Sequence, residues 1–304
     1  MIREPKQKVL ISFSGGETSA YMINWLLKNK PDYEYKFVFA NTGEENEETL
    51  LFVKQVTEYF NIDVAWVEYE RLKYKEVNYD TAYRSHDPEE IKNKWPNHPF
   101  RKYISTFGIP NRQNMSCTRE LKEYAINRYM RANGWKKSDY DTAIGIRADE
   151  IDRLGKHYYP LIIPHITKPI VNAFWSKMPF RLQLKGYQGN CKVCWKKSLR
   201  KLVTLARENV DNFAFFKQME LEFGMYIKPT RLKKAKENGT SITLPANFFR
   251  ENKSVDEIIK LTTDPKIENA EDDSVNINYQ TSVLHDGTEL DVSDGCSESC
   301  EVFI

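Results

Sequence analysis

Short apolar runs alternate with helix-spaced apolar positions from residue 9 onward. Residues 9–14 form a compact hydrophobic run broken by Gly15 and Gly16, which predicts a buried strand ending in a turn. Ala20, Tyr21, Ile23, Trp25, Leu26 and Leu27 then recur at helical spacing until Asn29, Lys30, Pro31 and Asp32 stop the helix. Residues 36–40 predict a second strand, so the unit has the size of a βαβ crossover. Leu50, Leu51, Val53, Val56 and Phe60 give the next helix an inner face, and residues 62–67 predict a third strand. Glu44, Glu45, Glu47 and Glu48 are expected in the first turn of that helix, where carboxylates suit its dipole.

From 70 to 115 tyrosines, charges and prolines replace the pattern, and a long functional or mobile loop is expected. Periodicity returns with a helix over 119–132, a strand over 142–146 and a further strand over 158–163. Residues 167–190 read as a bridge, followed by helices near 195–208, 211–224 and 254–262. Alternating strands and helices predict an α/β fold: a doubly wound, mostly parallel sheet with helices on both faces and a helical C-terminal extension. In such sheets ligands gather at the carboxyl ends of strands, where residues 14–19, 41–45 and 145–150 all fall.

The formal net charge of +2 gives no general pull toward polyanions or an acidic membrane surface. Two local clusters stand out, Lys196, Lys197, Arg200 and Lys201, and Arg231, Lys233 and Lys234, as solvated helix faces or contact patches. No stretch approaches the ~20 apolar residues of a membrane span, and the first residues lack an apolar signal core. A cytoplasmic protein without membrane partners is expected.

Ser14, Gly15, Gly16, Glu17, Thr18 and Ser19 lie between a strand and a helix start. Glycines admit close approach of backbone N–H groups to an anion, and hydroxyls add donors at a helix N-terminus. The same residues also suit a tight turn with a hydroxyl cap. The patterns G-x-x-x-x-G-K-[ST] and G-x-G-x-x-G after a strand are both absent. The five cysteines include the close pairs Cys191/Cys194 and Cys296/Cys300. Four thiolates would close a site for zinc or an iron–sulfur cluster and pin the polar tail to the core, unless these are buried free thiols. Nearby lysines would favour the thiolates. His86, His98, His157, His165 and His285 show no ligand spacing and are read as structural or exposed.

The segment from Ser12 to Ala20 resembles the PP-loop, S-G-G-x-[DT]-S, of the adenine-nucleotide α-hydrolases. More narrowly, the chain resembles the phosphoadenosine phosphosulfate (PAPS) reductase family and its phage and DNA-phosphorothioation relatives. Thr42-Gly43 with the following glutamates, Cys117 with Leu121-Lys122, Gly145 with Arg147 and Glu150, and Cys191 with Cys194 match the family's other segments in order, over roughly residues 8 to 205. Taken alone, Thr42-Gly43 also suits a plain turn, and Arg147 an ordinary salt bridge.

The resemblance implies a domain over 1–190 that binds ATP or a sulfonucleotide (PAPS or APS), a helical extension over 191–263 and a tail over 264–304. Ser12, Ser14, Gly15, Gly16, Thr18, Ser19, Thr42, Gly43 and Arg147 would hold the nucleotide, with Mg²⁺ accompanying ATP. Arg147 and Lys122 would neutralise developing charge and Cys117 would be the thiol nucleophile. Cluster-bearing relatives suggest another grouping, Cys117 with Cys191 and Cys194. The implied chemistry is adenylate formation or sulfur transfer to a nucleic-acid or small-molecule acceptor. Sulfite-releasing reduction of PAPS or APS and non-catalytic nucleotide sensing are the alternatives, and an oligomer is compatible with all three. Two departures bear on this choice: Thr18 stands where Asp is common, and the E-C-G-x-H segment of the simple reductases is absent. Glu17 brings negative charge beside an anion site, so its side chain is expected to turn away.

Overall fold

The computed structural model describes residues 4–71 and 73–272. Five strands form one sheet in the order β4-β3-β2-β1-β5. They are β1 (Lys8–Phe13), β2 (Glu34–Asn41), β3 (Val64–Glu70), β4 (Lys73–Val77) and β5 (Tyr140–Ala143). All pairings are parallel except the β3–β4 hairpin at one edge. Phe13 lies opposite Phe39 of β2, and Ile11 opposite Ala143 of β5.

Strand alternation sorts the core onto two faces. Val9, Ile11 and Phe13 pack with α1 (Glu17–Asn29) and α2 (Glu47–Phe60) on one face. Leu10 joins Val38, Ala40 and Val67 against the later helix of residues 124–132 on the other. Each such buried side chain contributes ~1.5–3 kcal/mol. After β3 the chain returns to the far side of β1 to form β5, so strand order reverses between β1 and β5. That is where an open α/β sheet leaves a crevice at its carboxyl edge.

Several expectations change. Residues 70–115 are not a long loop. They hold β4, α3 (Tyr79–Ala82), a 3₁₀ turn (Tyr83–His86), α4 (Pro88–Lys92) and α5 (Pro99–Phe107). Pro88 and Pro99 are helix starters rather than breakers, because the first turn has no use for their missing N–H. The helix expected over 119–132 opens as a π turn (Thr118–Glu123) before α6 (Tyr124–Ala132). Residues 158–163 make one parallel bridge, Tyr158 to Ala143, and then turn. Pro160 and Pro164 remove ladder donors on both sides of the isoleucines that suggested a strand.

The bridge over 167–190 contains α7 (Lys168–Trp175), whose Pro169 again sits in the first turn. Trp175 packs edge-on to Phe52 at 5.0 Å and donates from Nε1 to the Glu17 carbonyl at 3.0 Å, tying α7 to the start of α1. The C-terminal helices are α8 (Leu199–Glu208), α9 (Ala214–Phe223), α10 (Pro229–Glu237) and α11 (Val255–Lys260). Helices α8, α9 and α11 share an aromatic-rich core with Tyr69, α5, Leu121 and Trp195. Helix α10 has no buried residue, so no apolar stripe announced it. No helix among the described residues is long and apolar enough to cross a membrane.

Candidate active site

The loop after β1 is shaped from beneath by α2. Gly15 has φ +82°, and a Cβ there would lie 2.6 Å from Thr49 Cγ2 and 3.2 Å from both Phe39 and Val53. Gly16 is the N-cap of α1 at φ −98°, a backbone open to any residue, so the conformational need for glycine lies at Gly15. Ser12 is buried within β1. Ser19 Oγ donates to the Gly16 carbonyl at 2.9 Å, so the 2.8 Å contact between Ser14 and Ser19 uses the Ser14 proton. Both serine protons are therefore spent inside the loop. Thr18 Oγ1 accepts from Arg147 at 3.1 Å and keeps its own proton to donate.

Arg147 follows β5 and is buried. Asp149 Oδ1 at 3.1 Å and Glu150 Oε2 at 3.6 Å hold its Nε while the fork reaches Thr18. Arg147 and Thr18 line an open cleft with Ser14, Gly16 and Ser19. Lys168 from α7, Arg181, Lys185 and Asn190 complete its wall. None of these four was singled out from sequence. Glu17 does not turn out of the cleft as expected: it lines the cleft and pairs bidentately with Arg181, 3.0 Å on both arms. Asn190 donates to the Ser14 carbonyl at 2.8 Å, while its own Oδ1 is buried with no protein partner. An orphaned acceptor on a cleft residue suits a ligand that brings a donor, such as an amine or a ribose hydroxyl.

The loop after β2 has a parallel construction. Gly43 has φ +86°, and a Cβ would lie 2.6 Å from the His98 ring. His98 Nδ1 accepts from Phe100 N at 3.2 Å, which leaves the proton on Nε2, 3.1 Å from both the Gly43 carbonyl and Glu44 Oε1. His98 is thus a structural histidine, stacked on Phe215 at 4.3 Å. Helix α2 begins at Glu47 after the N-cap Asn46, so only Glu47 and Glu48 of the four glutamates occupy its first turn. Glu45 instead folds back to accept from Thr42 N and Thr42 Oγ1, both at 2.8 Å, and Gly43 N at 3.1 Å. Burial pushes its carboxyl up, and Lys122 Nζ at 3.9 Å pulls it back. A glutamate three residues past a Thr at a strand end, within reach of the turn amides, was the signal for this role.

Cys117 opens the π turn, and it lines a second, small cleft with Lys122, Thr42, Cys191, Cys194 and Trp195. The Cys191 thiol is pushed well up, first by its hydrogen bond with Cys194, then by burial and by the carboxylates of Glu45 and Glu44. Lysine support for the thiolates, expected from Lys196 and Lys197, gives way to this acidic surrounding. Lys197 is buried and donates to the Gln188 carbonyl, and Lys196 lies over the Trp195 ring at 5.8 Å. Arg200 is bound to the Asn269 carbonyl at 2.8 Å, so this basic cluster is largely absorbed into the fold. Among the described residues no group of three or more His, Cys, Asp or Glu is arranged to hold a metal. Cys296 and Cys300 lie outside the described residues. Cys117 shares a cleft with Cys191 and Cys194, as the second grouping expected, but the three are not arranged as a zinc or iron–sulfur ligand set.

The segment 189–194 stitches the two clefts together. Glu45 and Cys191 form an antiparallel bridge, with Lys192 N donating to the Glu44 carbonyl at 2.8 Å and Asn46 N to the Asn190 carbonyl at 3.1 Å. Asn190 lines the first cleft and Cys191 the second.

Residues 8–156 match the model of the phosphoadenosine phosphosulfate reductase domain. The chain is also similar to an uncharacterized nin region protein, ORF290, of Escherichia phage lambda, with 28% identity over 300 residues, 97% of this chain and 94% of that protein. No solved structure matches. A Ser/Gly loop at the reversal of a mostly parallel sheet, faced by an arginine from the next strand end, agrees with the domain match. The chain belongs, through residues 8–156, to the phosphoadenosine phosphosulfate reductase domain family of PP-loop adenine-nucleotide α-hydrolases.

Proposed function

We propose that this protein is an enzyme that binds an adenine nucleotide in the first cleft and uses it for adenylate-forming or sulfur-transfer chemistry. The observation that carries this reading is the convergence of the PP-loop with Arg147, Lys168, Arg181 and Lys185 around one crevice. The N-terminus of α1, the Thr18 hydroxyl and the Arg147 fork would take phosphate oxygens, since helix starts and planar guanidinium groups both favour them. Gly15 and Gly43 keep the two loops low enough for a ligand to lie across the strand ends. With ATP, an acceptor oxygen attacks the α-phosphorus, pyrophosphate leaves, and a sulfur nucleophile then displaces AMP; Mg²⁺ carried with the nucleotide would offset the polyphosphate charge. Arg147 and Lys122 would stabilise the charge that develops, and Cys117 is the candidate thiol. No step is routed through a metal on the cysteines.

An anaerobic turnover screen with ATP, APS and PAPS, with and without added nucleic acid, tests this by reading AMP, pyrophosphate and sulfite. AMP and pyrophosphate from ATP support it. Sulfite from PAPS or APS with a dithiol would establish a reductase instead. Tight binding without turnover of any of the three would make the protein a sensor.

A further inference from the structure

The second cleft holds two groups that adenylate chemistry leaves without a task. One is the Cys191–Cys194 pair. Both are thiols rather than halves of a disulfide, and they are hydrogen-bonded to each other. With Cys117 they do not form a ligand set for zinc or an iron–sulfur cluster. The other group is the indole of Trp195, which is buried and lines the same cleft. Its Nε1 donor has no hydrogen-bond partner among the described residues. A buried donor left unmade is costly, and a ligand that brings an acceptor removes that cost.

The backbone sets the two sulfurs at a spacing that a disulfide can close. Residues 192 and 193 are the two turn positions between the cysteines. A turn brings Cα atoms three residues apart to within about 7 Å, and a disulfide spans roughly 4.4–6.8 Å. Both ends are tethered. Cys191 is bridged to Glu45, Lys192 N donates to the Glu44 carbonyl at 2.8 Å, and the Cys194 carbonyl accepts from Lys197 N at 3.0 Å. The sulfurs can therefore join and part while the fold around them stays in place. A ring closed over two intervening residues removes little chain entropy, so the bond gains little stability from its loop. The hydrogen bond with Cys194, burial and the carboxylates of Glu45 and Glu44 all hold the Cys191 thiol up. A dithiol that is not stabilised as thiolate is poised to give electrons rather than take them.

Access is graded along the pair. Cys191 is half-buried and Cys194 buried, and half-buried Cys117 and Thr118 line the same cleft. Phe100, Leu121, Val193 and Phe216 make much of the remaining wall apolar. A small, largely apolar molecule with one acceptor for the indole suits such a space.

We propose that Cys191 and Cys194 are a redox-active dithiol that reduces a small disulfide bound in the second cleft, with Trp195 Nε1 donating to an acceptor atom of that molecule. Cys191, the more accessible of the two, attacks one sulfur of the bound disulfide. The S–S bond breaks and the first thiol leaves. Cys194 then attacks the Cys191 sulfur of the mixed disulfide, the Cys191–Cys194 bond forms, and the second thiol leaves. The substrate gains two electrons, the pair loses two, and the two cysteine protons depart on the released thiols. An external dithiol restores the pair by the same exchange in reverse. None of these steps uses the nucleotide cleft.

The test uses the full, reduced chain with one equivalent of hydroxyethyl disulfide, which carries acceptor oxygens, or of diethyl disulfide, which lacks them. Released thiol is followed in time, and the remaining cysteines are then alkylated and the chain digested with trypsin. Cleavage after Lys192 separates the two cysteines, so their bond joins peptide 186–192 to peptide 193–196 in one mass. That linked pair is the expected product. Cys194→Ser should stop at a mixed disulfide on Cys191. Trp195→Phe keeps the apolar wall and removes the donor, so exchange with hydroxyethyl disulfide should slow by roughly three- to tenfold while exchange with diethyl disulfide stays the same. Absence of the linked pair, or linkage of Cys191 to any other cysteine, overturns the proposal. So does an equal slowing of both disulfides by Trp195→Phe. Anaerobically purified parent that carries zinc or iron, whose removal frees Cys191 and Cys194 for alkylation, overturns it as well.

Discussion

Replacing Gly15 by alanine isolates what the loop demands of its backbone. A side chain at φ +82° costs ~1–2 kcal/mol for the left-handed conformation. The added Cβ would also meet Thr49 Cγ2 at 2.6 Å, with Phe39 and Val53 at 3.2 Å, in a packed core. Overpacking of that kind costs ~1–3 kcal/mol. Gly15→Ala should therefore destabilise the protein by roughly 2–5 kcal/mol in urea unfolding. It should also weaken ATP binding, since the loop must lift off α2. Thr49→Ala removes the methyl group in the way, together with a buried hydroxyl that has no hydrogen-bond partner. In the double variant the steric part should be relieved and the conformational part, ~1–2 kcal/mol, should remain. Gly16→Ala sits at φ −98° and pays no left-handed penalty. If Gly15→Ala were as stable as the parent, or showed no coupling to Thr49→Ala, the explanation of the loop would be refuted.

Two further outcomes follow from single side chains. Arg147→Lys keeps the charge but loses the fork held between Asp149, Glu150 and Thr18; ATP affinity should fall by roughly 10- to 100-fold in calorimetry with the unfolding midpoint little changed, and unchanged affinity would remove Arg147 from the site. Glu220 of α9 is pushed up to about 7 by burial, against hydrogen bonds from Val255 N and Phe248 N, so between pH 4.5 and 7 the folded protein holds a proton that the unfolded chain has released. Its contribution should make stability fall by roughly 3 kcal/mol as pH rises through that window and level off above it; a parent-minus-Glu220→Gln difference that stays flat from pH 5 to 8 would contradict this.

The β1–α1–β2–α2–β3 run was legible because each strand was a short apolar block and each turn carried its own punctuation. Residues 70–115 were not, since Pro88 and Pro99 look like breakers until their place in a first turn is known. Helix α10 left no apolar period, because it buries nothing, and only the basic cluster at Arg231, Lys233 and Lys234 hinted at a solvated helix face. At the site, Thr18, Thr42, Arg147, Cys117 and Lys122 were visible as separate short segments, and the sheet brings those segments to one edge. Lys168, Arg181 and Asn190 were invisible because they come from the stretch taken for a connector. Glu45 was misplaced because a glutamate before a helix suits the dipole as well as it suits the turn amides it actually bonds.

Asn190 and Cys191 are neighbours in sequence but face different chambers. One amide steadies the loop proposed to grip phosphate, and the next residue's thiol shares a proton environment with Cys194, Glu45 and Glu44. A single peptide link is therefore a party wall. A ligand that displaced Ser14 would pull on this wall through Asn190, and the surroundings of the Cys191 thiol would change with it. Linkage makes this reciprocal: whatever factor nucleotide binding applies to thiol ionisation, ionising the thiol applies to nucleotide affinity.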